Sequence, residues 1–129
     1  MNPPKWAQGL TLNAILYLQS TRYVGLELPR LTWRHAHNRS CSSGISWHDR
    51  SKGINVNAGT DRTDAKLVLL HELAHWARPL GESHSDAFWD LAWELYRWAK
   101  LPMRYCKWRE AEYRKGSIAA YHRSVKQSR

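Results

Sequence analysis

The chain has 129 residues, the size of one domain with a core of its own. Its 20 Lys and Arg against 11 Asp and Glu give a formal net charge of +9, and 43% hydrophobic residues exclude a disordered chain. No apolar run approaches the ~20 residues of a membrane span. The first residues show no secretory pattern, and Cys41 and Cys106 form no CxxC pair for a zinc ribbon or disulfide scaffold, so the expectation is a cytoplasmic protein with free thiols.

Taken in chain order, the segment Trp6 to Leu18 spaces its apolar residues as a helix does. Three short alternating segments follow: Leu31 to Ala36, Gly44 to His48, and Gly53 to Ala58, the last with Ile54, Val56 and Ala58 on one face. Turn-rich stretches separate them, which predicts a small antiparallel sheet. Asp61 or Thr63 can cap a helix starting near Asp64. That helix is apolar nearly all round through Trp76 and is expected at the centre of the fold. Pro79 and Gly81 end it. Ser83 or Ser85 can cap a second helix with the body Phe88 to Tyr96, which Pro102 interrupts. A last basic, aromatic-studded helix is expected from Met103 to about Tyr121.

The central helix carries His71-Glu72-Leu73-Ala74-His75, an HExxH motif. Residues i and i+4 share a helix face, so both imidazoles can reach one ion, and neutral imidazole suits Zn²⁺. Glu72 lies about 100° round the helix from His71, so it is free to act as a general base on the attacking water. Unpaired polar groups inside an apolar helix cost ~1–3 kcal/mol each, and a metal accounts for all three. A catalytic zinc takes a third protein ligand. His84, nine residues after His75, heads the apolar face formed by Phe88, Leu91 and Leu95 and is the favoured third ligand. Glu94, Glu82 and Asp86 are its rivals. His35, His37 and His48 fall in or beside the strands, and His122 in the basic tail reads as solvated.

His71-Glu72-Leu73-Ala74-His75-Trp76, followed by His84-Ser85-Asp86-Ala87-Phe88-Trp89, resembles the SprT-like and WLM group of zinc metallopeptidases, with YgjP-type proteins close by. The resemblance covers about residues 44–96, including the strand Gly53 to Asn57. It implies an α+β minimal zincin: an antiparallel-rich sheet of about three strands on the HExxH helix and a second metal-binding helix, with N-terminal and C-terminal helices around them. It implies zinc on His71, His75 and His84, with Glu72 as general base. It further implies that the strand from Gly53 to Ala58 is the edge on which an extended peptide pairs, a mode that unpaired backbone also favours. Members of the group with C-terminal extensions often act on DNA-associated proteins, and the basic extension here extends that expectation to this chain.

Charge is uneven. Residues 1–96 hold 10 Lys and Arg and nine Asp and Glu; residues 97–129 hold 10 against only Glu110 and Glu112. The expected division is a metallopeptidase domain over 1–103 and a basic C-terminal helix and tail over 104–129. The first functional reading is a zinc metalloendopeptidase. The alternative is a nucleic-acid-binding protein with a structural or vestigial zinc site, its tail binding phosphate and Tyr105, Trp108, Tyr113 and Tyr121 stacking on bases. Hydrolysis of a substrate other than peptide is a third, because HExxH specifies water activation more closely than substrate.

Overall fold

A computed structural model describes residues 2–35, 42–46, 53–78 and 84–127. Among them lie five α-helices and three strands, an α+β architecture. Contacts gather into two compact units, Met1–Leu80 and Gly81–Arg129.

The first unit contains α1 (Lys5–Ser20), β1 (Leu31–His35), β2 (Ser43–Ser46), β3 (Ile54–Ala58) and α2 (Arg62–Ala77). Ala7, Thr11, Ala14, Ile15 and Leu18 form the buried stripe of α1, and α2 packs against α1, β2 and β3. Helix α2 starts where its cap predicts: the Asp61 carboxylate accepts the Thr63 and Asp64 backbone N–H groups at 2.8 and 3.3 Å. Twelve of its 16 residues are buried, the central position that an all-round apolar helix demands. Trp33 packs edge-to-face on Trp6 at 5.6 Å, adding an aromatic contact beside the core.

Two expectations about the sheet need correction. The sheet is mixed rather than antiparallel: β2 pairs antiparallel with β3, but β1 pairs parallel, Leu31 opposite Ile54 and His35 opposite Ala58. A parallel pair needs a long return between its strands, and the stretch 36–53, which includes β2, supplies it. The strand order is β1-β3-β2, so β3 is the centre and not the edge. Its Ile54, Val56 and Ala58 are all buried, whereas β1 buries only Trp33 and β2 none of its four residues. The strand with the complete apolar face takes the position where that face is covered. Ala36, Trp47 and His48, the expected ends of β1 and β2, lie outside the described residues.

The second unit contains α3 (Asp86–Trp98), α4 (Met103–Arg109), a single 3-10 turn (Ala111–Tyr113) and α5 (Arg114–Gln127). Ser85 caps α3, its hydroxyl accepting the Phe88 N–H at 3.2 Å. Phe88, Trp89, Leu91, Ala92, Trp93, Leu95 and Tyr96 are buried. The one continuous helix expected from Met103 to Tyr121 is broken at Glu110. At the break Glu110 is 2% exposed and accepts the Tyr96 hydroxyl, a tie to α3 made where the helix ends. Helix α5 then lies on α3 through a stripe of small residues, Ser117, Ala120 and Ser124. The Trp93 indole N–H donates to Ser117 Oγ at 3.1 Å and Arg97 Nε to Ser124 Oγ at 2.8 Å. Among the described residues no helix is long and apolar enough to cross a membrane.

Candidate metal centre

Helix α2 supplies the centre of the site. His71 and Glu72 are each 7% exposed and His75 is half-buried. The two imidazoles sit one turn apart, ring centroids 5.1 Å from each other and planes at 62°. Their nearest ligand atoms are within 4.8 Å. Two nitrogens on one tetrahedral Zn²⁺ lie ~3.4 Å apart, given bonds of about 2.0–2.1 Å. The donor set, two imidazoles with a carboxylate beside them, fits such an ion.

The neighbouring face of α2 fixes Glu72. Asp64, Val68 and Glu72 recur every four residues and face β2. At one end, fully buried Asp64 accepts the backbone N–H of Ser42, and the Ser42 hydroxyl accepts the Gly59 N–H at 2.9 Å. These bonds secure the start of β2 to α2 and to the residue that follows β3. At the other end β2 passes over Glu72 at Gly44. A Cβ there would stand 2.8 Å from Glu72 Cγ and 3.0 Å from Val68 Cγ1. Only glycine lets the strand lie this close, which an isolated Gly in a strand signals. One turn beyond Glu72, the Trp76 indole N–H donates to the Glu27 carbonyl at 2.8 Å, tying the end of the motif to the segment before β1. Neither Asp64 nor Gly44 stands out from the motif alone. The glycine was the available signal for one, and nothing in the sequence separates Asp64 from an ordinary first-turn acid.

His84 belongs to the second unit, immediately before the Ser85 cap. It is half-buried in a nest of rings: stacked on Trp89 at 5.4 Å and 23°, edge-on to Phe88 at 5.1 Å, and 4.5 Å from Tyr113. The Phe88, Leu91 and Leu95 face behind it is buried as the spacing predicts. Among the rival ligands, Asp86 is exposed and Glu94 half-buried on α3, whereas Glu82 lies outside the described residues. So do Pro79, Gly81, His37, His48 and Cys41. His35 and His122 are exposed.

The aromatic residues of the basic segment divide. Tyr113 packs on His84 and on Trp89, at 5.0 Å from the latter. Tyr121 packs on Trp93 at 5.1 Å, with Arg97 and Lys107 against its ring. Both rings are therefore engaged inside the unit. Trp108 is 64% exposed, with Tyr105 beside it at 5.7 Å, and remains available for stacking.

No family model matches the chain, and no curated protein and no solved structure matches it either.

Proposed function

We propose that this chain is a zinc-dependent endopeptidase, with His71, His75 and His84 as metal ligands and Glu72 as general base. The observation that carries the reading is Glu72, a carboxylate 7% exposed beside two imidazoles that share a helix face. A structural site has no use for that carboxylate beside the ligands, whereas a hydrolytic site needs a base there. His84 is favoured as third ligand because it heads the buried Phe88, Leu91 and Leu95 face of α3, and imidazole is a common third ligand of a catalytic zinc.

When bound, Zn²⁺ would lower the pKa of water toward 7 and polarise a carbonyl oxygen. Glu72 takes the proton of the attacking water and returns it to the departing amine. Gly44 confines the Glu72 side chain from above, which limits the positions its carboxylate can take. With β3 central, the peptide-pairing role passes to β2. Its Ser43–Ser46 backbone pairs only with β3 among the described strands, and an extended peptide can add to its other side. Gly44 places that strand directly over the proposed base.

Metal analysis of the untagged parent, Glu72→Gln and His84→Ala, with hydrolysis of an unfolded protein such as casein, tests the reading. The expected result is one zinc per chain in the parent and Glu72→Gln, hydrolysis by the parent alone, and loss of zinc in His84→Ala. A parent that takes up no zinc overturns it.

A second activity has one specific observation behind it. Exposed Trp108 lies on α4 with exposed Arg104 and Lys107, the pairing of aromatic and cation that single-stranded nucleic acid uses. Binding that falls with salt at a slope of about −0.7 per phosphate contact is the expected signature.

A further inference from the structure

His84 precedes the Ser85 cap, so the hydrogen-bond ladder of α3 does not set its backbone. Three rings pack on its imidazole. Phe88 and Trp89 are local, four and five residues on. Tyr113 comes from 29 residues away and makes the shortest ring contact of the three, 4.5 Å.

The segment around Tyr113 is anchored on both sides to α3. Three residues before it, buried Glu110 accepts the Tyr96 hydroxyl, and the Glu110 carbonyl accepts the Tyr113 N–H at 3.1 Å. Three residues after it, Gly116 lies against the indole of Trp89. A Cβ at Gly116 would stand 3.0 Å from Trp89 Cδ1 and 3.2 Å from Nε1. Trp89 is the ring on which His84 stacks. The break in the C-terminal helix thus delivers Tyr113 onto His84 while Gly116 admits the indole that backs it.

We infer that Tyr113 is a positioning residue for the imidazole of His84, so that the basic C-terminal segment helps shape the metal centre. This rests on the reading of His84 as a metal ligand. Outer-shell partners that hold a ligating histidine by hydrogen bonds typically contribute about 10- to 100-fold in metal affinity, and a ring that fixes the imidazole plane acts on the same orientation. The same contact removes Tyr113 from the rings available to a nucleic-acid partner.

The test is Co²⁺ titration of the full chain, which reads affinity and ligand geometry together through the visible spectrum, alongside the His84 ring-proton shifts of the metal-free protein. Tyr113→Phe keeps the ring and should match the parent. Tyr113→Leu keeps bulk without a ring, and it guards against a poorly folded Tyr113→Ala. Tyr113→Leu and Tyr113→Ala should each lose about 10- to 100-fold in Co²⁺ affinity, alter the spectrum and move the His84 ring protons. Tyr105→Ala, whose ring faces Trp108, should change none of these. Parent-like affinity and spectrum in Tyr113→Leu overturn the inference while leaving the metal centre standing. A Tyr113→Phe variant as weak as Tyr113→Leu overturns the ring-packing account. A parent that takes up no Co²⁺ removes the metal centre itself, and this inference with it, a result distinct from the other two.

Discussion

Helices α2 and α5 use polar residues in opposite ways. Helix α2 buries 12 of 16 residues, and Asp64, His71 and Glu72 are among them. Helix α5 buries three of 14, all small, and carries its charges outside. Polarity held where it costs folding energy needs a reason in hydrogen bonding or chemistry. Polarity on a surface is compatible with plain solvation. That is why Glu72 supports a specific mechanism, whereas a C-terminal net charge points only to a class of partner.

The contrast is broken most severely on α2. Glu72→Gln should lower turnover on the order of 10²–10⁴-fold while zinc content and unfolding midpoint hold. Leu70→Ala, two residues away and fully buried, should do the converse. It should cost about 2–5 kcal/mol in urea unfolding. If the folded Leu70→Ala fraction is as inactive as Glu72→Gln, Glu72 is not special on this helix. Gly44→Ala lies between. The added methyl meets Glu72 and Val68, so it should cost about 1–3 kcal/mol and lower turnover through the displaced carboxylate. Parent-like turnover would show that β2 does not hold the proposed base.

Much of unit 1 was legible because local patterns and tertiary demands agree there. The Asp61 cap, the period-two face of β3 and the apolar body of α2 each specify one outcome. The errors arose where long-range pairing decides. Alternation at β3 reveals an apolar face but not its neighbours, so the parallel partner β1 and the central position were hidden. The break at Glu110 was hidden for a related reason. Glutamate is a good helix former, and nothing local announces that Tyr96, 14 residues earlier, will bury its carboxylate. At the candidate site, spacing places His71 and His75 one turn apart on α2, and their rings do lie 5.1 Å apart. Gly44, Asp64 and Tyr113 act through contacts that no spacing encodes.

Helix α4 repeats the contrast on a smaller scale. Cys106 is buried, and burial, with the Glu110 carboxylate adding to it, pushes its thiol up to about 12 from 9.0. The folded state therefore keeps the thiol protonated where the unfolded chain ionises it. This contribution to stability is complete below about pH 9 and is lost as pH rises toward 12. Melting temperature should fall more steeply above pH 9 in the parent than in Cys106→Ala, and the native thiol should resist alkylation at pH 8. Rapid alkylation of Cys106 in the folded protein would place it outside the core.

Two residues on, Trp108 is 64% exposed. Trp108→Ala should change stability least of all, within about 0.5 kcal/mol, because the side chain leaves little buried surface behind. Its consequence lies in binding. Stacking on one base is worth about 1–3 kcal/mol, so the variant should bind single-stranded DNA roughly 5- to 150-fold more weakly with its salt slope unchanged. Lys107→Ala makes the complementary prediction: a smaller loss and a slope reduced by about 0.7, one phosphate contact. Parent-like binding in both variants would leave α4 as a solvated helix whose charge serves solubility. A loss in Trp108→Ala with casein hydrolysis intact would separate a nucleic-acid surface on α4 from the chemistry of α2. A loss of both would link the α4 surface to the proposed metal centre, and Tyr113 packs on His84 in the same unit as α4.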